Sequence, residues 1–532
     1  MPLVSQVADT LLADLAPLDP TAAQALGRQP ASLMPQLAPS DFGARHQALV
    51  RALTRLEGVS VEPAEMVLAA ALRERLTSDI ALAEAGFTSS LLAPLATPVH
   101  SVREVFDTLP SDDWPAIGAH LRQVPGALRD YASTLRGAAR VAPVRQVLGV
   151  AEQCSKWVDP GRDDFYRRLV AQHPDLLPAA DAASEATELF ATFLREELAL
   201  RAPEPDAAGR ELYTVTAQAF LGDEVDLQET YLFGWQELIS LTAEMRAVAA
   251  ELGADSIEAA AADLDDDPER RIDDPERLVE WLNERIEDAV LTVDGDHLDL
   301  PEQSWLPECA LSPTASGVAT YQPPDPLFTR PGRIWWATPT TPSTSTWREV
   351  TTLHHEGVPG HHAQAVIAMR QPRLHPWQRS LAHVHGHAEG WAHYAERLAD
   401  ELGLLRDAGE RLGMLYGQRW RAARIVIDMG LHLGYPVPSG NGFTEATTWT
   451  PEVGVEVLQR AGGLDEATAR FEVDRYLGWP AQALAFRVGA RTWQQLRDAA
   501  AQRPGFTLKR FHMRALQLGP MGLGPLRAAL AK

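Results

Sequence analysis

The sequence predicts a mainly α-helical protein, and three observations predict it. Apolar positions recur at helical spacing through most of the first 300 residues. The same patterning returns at Thr346 and runs to the C-terminus, and only one stretch between the two reads as a strand. In the N-terminal part, Ala48-Leu49-Val50-Arg51-Ala52-Leu53 and the run from Glu65 to Leu72 are built from good helix formers. Prolines at Pro94, Pro98 and Pro125 punctuate the runs. A long run opening at Ala182 predicts a helix with Ser184 as its N-cap. Asp-Asp-Pro-Glu-Arg occurs at Asp266 and again at Asp273, and Asp before Pro predicts two helix starts on a solvated face. Between residues 298 and 346 proline is dense. Gly332 to Thr338, bounded by Pro331 and Pro339, predicts a short strand with Trp335 and Trp336 on opposite faces. Such a strand could pair an extended peptide along its edge. A loop is expected from Pro436 to Thr450. No Ser/Gly linker divides the chain. The expected organisation is an N-terminal helical half, 1–310, walling a cleft, and a catalytic half, 311–532, in one continuous fold.

Composition narrows the function classes. The net charge of −24 argues against nucleic acid or an anionic membrane as partner, because a polyanion would be repelled. No run of about 18 apolar residues occurs, so no transmembrane helix is expected. The first nine residues lack a basic start followed by an apolar core, so the cytoplasm is the expected compartment. Cys154 and Cys309 are far apart, which predicts two reduced, buried thiols and no thiolate metal site.

The chemistry concentrates in Leu353-His354-His355-Glu356-Gly357-Val358-Pro359-Gly360-His361-His362. A catalytic zinc needs three protein ligands and an open position for water, and two imidazoles with one carboxylate are a common set. In the familiar His-Glu-x-x-His arrangement the two histidines lie one turn apart on a helix. Here Pro359 occupies that fourth step. On a regular helix His361 would sit about 120° around from His355 and about 9 Å along the axis, out of range of a shared ion. Pro359 interrupts the helix, Val358 before it is pushed from helical geometry, and Gly360 can take positive φ. A bulge there could bring one of the later histidines beside His355. The spacing favours His361 as second ligand, with His362 as a group beyond the ligands or facing substrate. Glu356 sits where a general base would. Glu389, in Gly386-His387-Ala388-Glu389-Gly390-Trp391-Ala392-His393-Tyr394-Ala395-Glu396, is the expected third ligand, with Glu396, His385 and His387 as alternatives. His393, one turn on, could orient Glu389.

In the C-terminal part, Tyr476 is the best phenol to face a developing oxyanion, and Arg475 could grip a substrate carboxylate. Gln482 could hold substrate backbone. Arg424 and Asp428, one turn apart, read as a helix-surface ion pair.

Three blocks in order, His-Glu-x-x-Pro-Gly-His-His, Glu-Gly-Trp-Ala-x-Tyr-Ala-Glu and Arg-Tyr…Pro-x-Gln-Ala, resemble the bacterial domain-of-unknown-function family 885. Its members resemble gluzincin metallopeptidases, the broad group that includes thimet oligopeptidase and angiotensin-converting enzyme. The resemblance runs from Arg330 to His512. It implies a large helical fold with a channel and a small β element near the active site. It carries over zinc and base roles to His355, Glu356, His361 and Glu389. The chain departs from the pattern at Ala481, where Gly is usual, at Phe486-Arg487, where Tyr-Lys is common, and at His393, where an apolar residue is common. The expected function is a zinc-dependent hydrolase holding one ion, most readily a metallopeptidase acting on a peptide or small amide. A zinc amidase on a non-peptide amide, and a non-catalytic binding protein on the same scaffold, are the alternatives.

Overall fold

The computed structural model describes residues 3–109, 112–159, 161–302, 305–312, 319–325, 327–337 and 343–531. Helices dominate from Val4–Leu15 to Leu523–Leu530. Ala48–Leu53 falls within the helix Pro39–Glu57, and the run from Glu65 closes a 3₁₀ turn and continues into the helix Met66–Glu84. Helical structure returns at Thr346, and the chain leaves it between Gly434 and the helix Pro451–Gly462.

The two Asp-Pro repeats start different things. Asp274 caps the long helix Pro275–Val293, its carboxylate accepting from the backbone N–H groups of Glu276 and Arg277. Asp267 caps only the single 3₁₀ turn Pro268–Arg270, which runs straight into the strand Arg271–Ile272. Ser184 does not cap a helix. It lies inside Leu177–Phe193, buried, and donates to Asp164 Oδ1 at 2.9 Å. That helix begins five residues before Ala182, with Pro178 in its first turn.

The small β element is a three-stranded sheet in the order Glu308–Leu311, Arg333–Trp336, Thr320–Gln322. The central strand pairs parallel with the first (Cys309 opposite Ile334) and antiparallel with the third (Tyr321 opposite Ile334). Both edges of Arg333–Trp336 are therefore taken, so this strand cannot receive a peptide edge-on. Its alternation is as expected: Ile334 and Trp336 are buried while Arg333 and Trp335 are partly exposed. Thr338 and Pro339, at the far end of the predicted strand, lie outside the described residues. A second ribbon pairs Arg271–Ile272 with Thr344–Ser345.

Apolar side chains gather in two clusters. The smaller holds Leu121, Tyr131, Val147, Tyr166 and Phe190 between the helices of residues 98–198. The larger joins both ends of the chain, from Leu11 and Leu72 through Leu282 and Trp347 to Ile427, Trp493 and Leu526. Each Leu so buried contributes about 1.5–3 kcal/mol relative to exposure. Residue 310 falls within a paired strand, and the larger core draws on both sides of it. Cys154 and Cys309 are both free and buried, as expected. No helix among the described residues is long and apolar enough to cross a membrane.

Two contacts position the site. The helix Ala408–Leu433 packs against Leu227–Glu251 and Thr346–Glu356. The helix His385–Glu401 meets Ala485–Ala501 almost backbone to backbone: a Cβ on Gly390 would lie 2.6 Å from the Gly489 main chain. That contact explains the glycine in the Glu-Gly-Trp-Ala run.

Candidate metal centre

The first site helix, Thr346–Glu356, carries His354, His355 and Glu356 in its last turn and stops at Gly357. A second helix starts at His361. The four residues between them form a tight reversal containing a cis Val358–Pro359 bond. Gly360 has φ −74°, so the expected positive φ is not what the position uses. The position requires glycine for space: a Cβ there would lie 2.0 Å from the His355 carbonyl oxygen and 2.4 Å from that of His354. The reversal is pinned from outside. Trp391 Nε1 donates to the carbonyls of Pro359 and Gly360 at 3.0 and 3.1 Å, and His354 Nδ1 donates to the Val358 carbonyl at 2.9 Å. Burial pushes the His354 imidazole down to about 4, so it serves as a neutral brace.

The reversal brings His361, six positions on, beside His355. Their rings meet edge to face with centroids 4.9 Å apart. Glu389, from the helix His385–Glu401, completes the group: its Oε2 lies 3.3 Å from His355 Nε2 and 3.6 Å from His361 Nε2. One donor atom from each of the three lies within 4.8 Å of the others, so these residues could hold a metal. His362 faces elsewhere. It is fully buried, with Nδ1 3.0 Å from the Tyr321 hydroxyl.

Behind His355 stands Glu396. His355 Nδ1 lies 2.8 Å from Glu396 Oε1, and His393 Nδ1 lies 3.2 Å from the same oxygen. Gln418 Nε2 donates to Glu396 Oε2 at 2.7 Å. His393 thus contacts Glu396, not Glu389 as the one-turn spacing suggested. Arg487 supports the far end, donating to Gln418 Oε1 at 3.0 Å and pairing with Glu237.

The electrostatics follow from this layout. Burial alone would lower the His355 imidazole, but Glu389, Glu396 and Glu356 outweigh it and push it up to about 10. Burial would raise Glu389, yet His355 and His361 hold it well below the usual carboxylate range. Glu396 is held down in the same way by His393 and His355. Glu356 goes the other way: burial raises it more than the nearby imidazoles lower it. Among the described residues it makes no hydrogen bond or ion pair, and the longer-range charges of His355, His361, Glu389 and Arg421 act on it.

The remaining expected residues form a second network. The Tyr476 hydroxyl donates to Glu472 at 2.9 Å, and Arg475 pairs with Glu472 at 3.2 Å. Gln482 Oε1 accepts from Arg424 at 3.1 Å and from Arg475 at 3.2 Å. Arg424 and Asp428 are not a surface ion pair; both are buried and face different partners. Asp428 accepts from Tyr213 at 2.5 Å and from the Ala481 backbone N–H at 3.0 Å. The two networks meet at Phe486, whose ring stacks on His355 at 6.1 Å and lies under the Arg424 guanidinium at 4.1 Å.

Glu396, an alternative third ligand on sequence grounds, lies two turns beyond Glu389 on the same helix face and contacts His355 Nδ1 from behind. Gln418 and Arg421 lie on a separate helix, and no motif marks them.

Residues 20–530 match the family described as bacterial protein of unknown function (DUF885), and the chain belongs to that family. No curated protein matches it. Its fold is similar to the crystal structure of a Colwellia psychrerythraea protein named as a candidate lipoprotein, with a TM-score of 0.84 at 18% identity, covering 100% of this chain and 99% of that one. It is also similar to a Shewanella oneidensis protein named as a candidate lipoprotein of unknown function, with a TM-score of 0.74 at 17% identity and 100% of both chains covered. At such identities the likeness concerns the fold alone.

Proposed function

We propose that this protein is a zinc-dependent hydrolase that cleaves peptide bonds, with His355, His361 and Glu389 holding the ion and Glu356 as general base. The observation that carries the reading is the convergence of those three donors beside the Glu356 carboxylate. The donor set suits zinc. Bonds of about 2.0–2.1 Å at tetrahedral angles set donor atoms roughly 3.3 Å apart. The Nε2–Oε2 separations here are 3.3 and 3.6 Å. The contact between His355 Nδ1 and Glu396 is the outer partner that fixes a ligating imidazole and raises its basicity.

Zinc bound there would bring the pKa of water near neutrality and polarise a carbonyl. Glu356, raised above the usual carboxylate range by burial, takes the proton from the attacking water and delivers it to the departing amine. Tyr476 acts at one remove: its hydroxyl holds Glu472, which holds Arg475 beside the site. His361 and Glu389 keep 16% and 21% side-chain exposure, which supports access of substrate to them.

The test is digestion of a peptide library with and without chelator. Defined cleavage that chelator abolishes, and that Glu356→Gln loses while zinc stays bound, supports a peptidase. Absence of cleavage across the library would shift the reading to a non-peptide amide.

A further inference from the structure

Beside the proposed metal centre three arginines crowd together, Arg424 buried and Arg421 and Arg475 partly buried. Arg421, Arg424 and Arg475 converge around Phe486, Tyr476 and Gln482. Among the described residues Arg475 alone of the three is ion-paired, to Glu472, which also acts electrostatically on Arg424. Arg424 is 2% exposed, its Nη2 donates to the neutral Gln482 oxygen, and its Nε is unpartnered. Arg421 lies over the faces of Trp420 and Phe486, at 4.3 and 5.7 Å, and its Nε is also buried without an acceptor. Neither has a carboxylate within 4 Å among the described residues. Aromatic faces offset part of a cation's desolvation, but they leave the guanidinium N–H groups without acceptors. Buried charge of this kind calls for an anion.

Position says which anion. Arg421 acts electrostatically on Glu356, and Arg475 on Glu389. Phe486 separates Arg424 from His355, and the two ring distances, 6.1 and 4.1 Å, cap that gap at about 10 Å. Extended chain covers such a gap in about three residues.

We propose that Arg421, Arg424 and Arg475 form a subsite for the C-terminal carboxylate of a peptide, so that the protein removes one to three residues from the C-terminal end. Arginine suits this role because its planar fork matches a carboxylate. The proposal rests on the hydrolase reading above. In each cleavage the scissile C–N bond breaks, a C–O bond forms from water, and the released amine leaves with the proton carried by Glu356.

The experiment uses N-acetylated pentapeptides with free carboxylate ends and the same peptides as C-terminal amides. Retention is measured on zinc-loaded Glu356→Gln protein, and cleavage on the wild type. Free acids should be retained at least tenfold better than amides, and the released fragments should be one to three residues long. Arg421→Gln should erase the preference for free acids and raise KM, and Arg421→Lys should restore part of it. Arg421 makes no hydrogen bond to another described residue, so this change spares the fold. Equal retention of acids and amides, no retention of either, or a preference that survives both Arg421→Gln and Arg475→Gln would overturn the subsite. Chelator-sensitive cleavage of amides and acids alike would do so while leaving the hydrolase reading standing. Arg421-dependent retention with no cleavage would keep the carboxylate site, overturn C-terminal trimming and sink the hydrolase reading.

Discussion

His355 and Glu396 are joined by a 2.8 Å contact from Nδ1 to Oε1, and both side chains are almost wholly buried. The carboxylate thereby fixes which nitrogen of His355 faces Glu389 and His361. Removing the charge while keeping the shape, as in Glu396→Gln, should weaken zinc affinity about 10–100-fold and leave the fold intact. Competition titration against a chelator of known affinity reads this directly, and unchanged affinity would remove Glu396 from the account.

The histidine pair gives a sharper contrast. His361→Ala should abolish stoichiometric zinc, whereas His362→Ala, altering a side chain held against Tyr321, should retain it. Metal analysis of the dialysed variants decides, and the reverse pattern would reassign the second ligand.

Ala481 adopts a left-handed conformation, with φ +69° and ψ −6°, and is fully buried. Its Cβ makes that conformation costly, while its backbone N–H is held by Asp428. Ala481→Gly should therefore stabilise the protein by about 0.5–1 kcal/mol, after allowance for the extra freedom of glycine in the unfolded chain. Urea unfolding checks the sign, and a loss of stability would show that the methyl group packs usefully.

Acid should destabilise the fold through histidines outside the metal centre. Burial pushes His100 and His432 down to about 4 and His512 to about 3. His432 is fixed neutral, accepting from the Ala208 N–H and donating to the Tyr476 carbonyl. The unfolded chain takes up these protons below about pH 6.5 while the folded chain does not. Stability from these groups is thus present above 6.5 and lost as pH falls towards 4, by about 1.4 kcal/mol per pH unit for each histidine. Denaturant unfolding from pH 7 to 5 should show this slope, with a smaller one in His432→Gln. An equal slope in that variant would mean that other groups carry the effect.

Much of this was legible in the sequence because local chemistry wrote it there. Pro359 and Gly360 signalled a break between the histidines, and the Asp274-Pro275 step signalled a helix start. Long-range packing was not legible. Gly360 is required by the approach of the His354 and His355 carbonyls, not by its φ. Ser184 has the chemistry of a cap, yet the helix already starts at Leu177. Arg424 and Asp428 have the spacing of an ion pair, but burial sends them to Gln482 and Tyr213. Gln418 reaches Glu396 from a helix with no motif, and only the packed arrangement shows it.

The most direct test is anomalous diffraction at the zinc edge from crystals grown with zinc. The account predicts one peak about 2.0–2.2 Å from His355 Nε2, His361 Nε2 and a Glu389 oxygen together. A zinc peak on His362 or elsewhere, with that point empty, would contradict it.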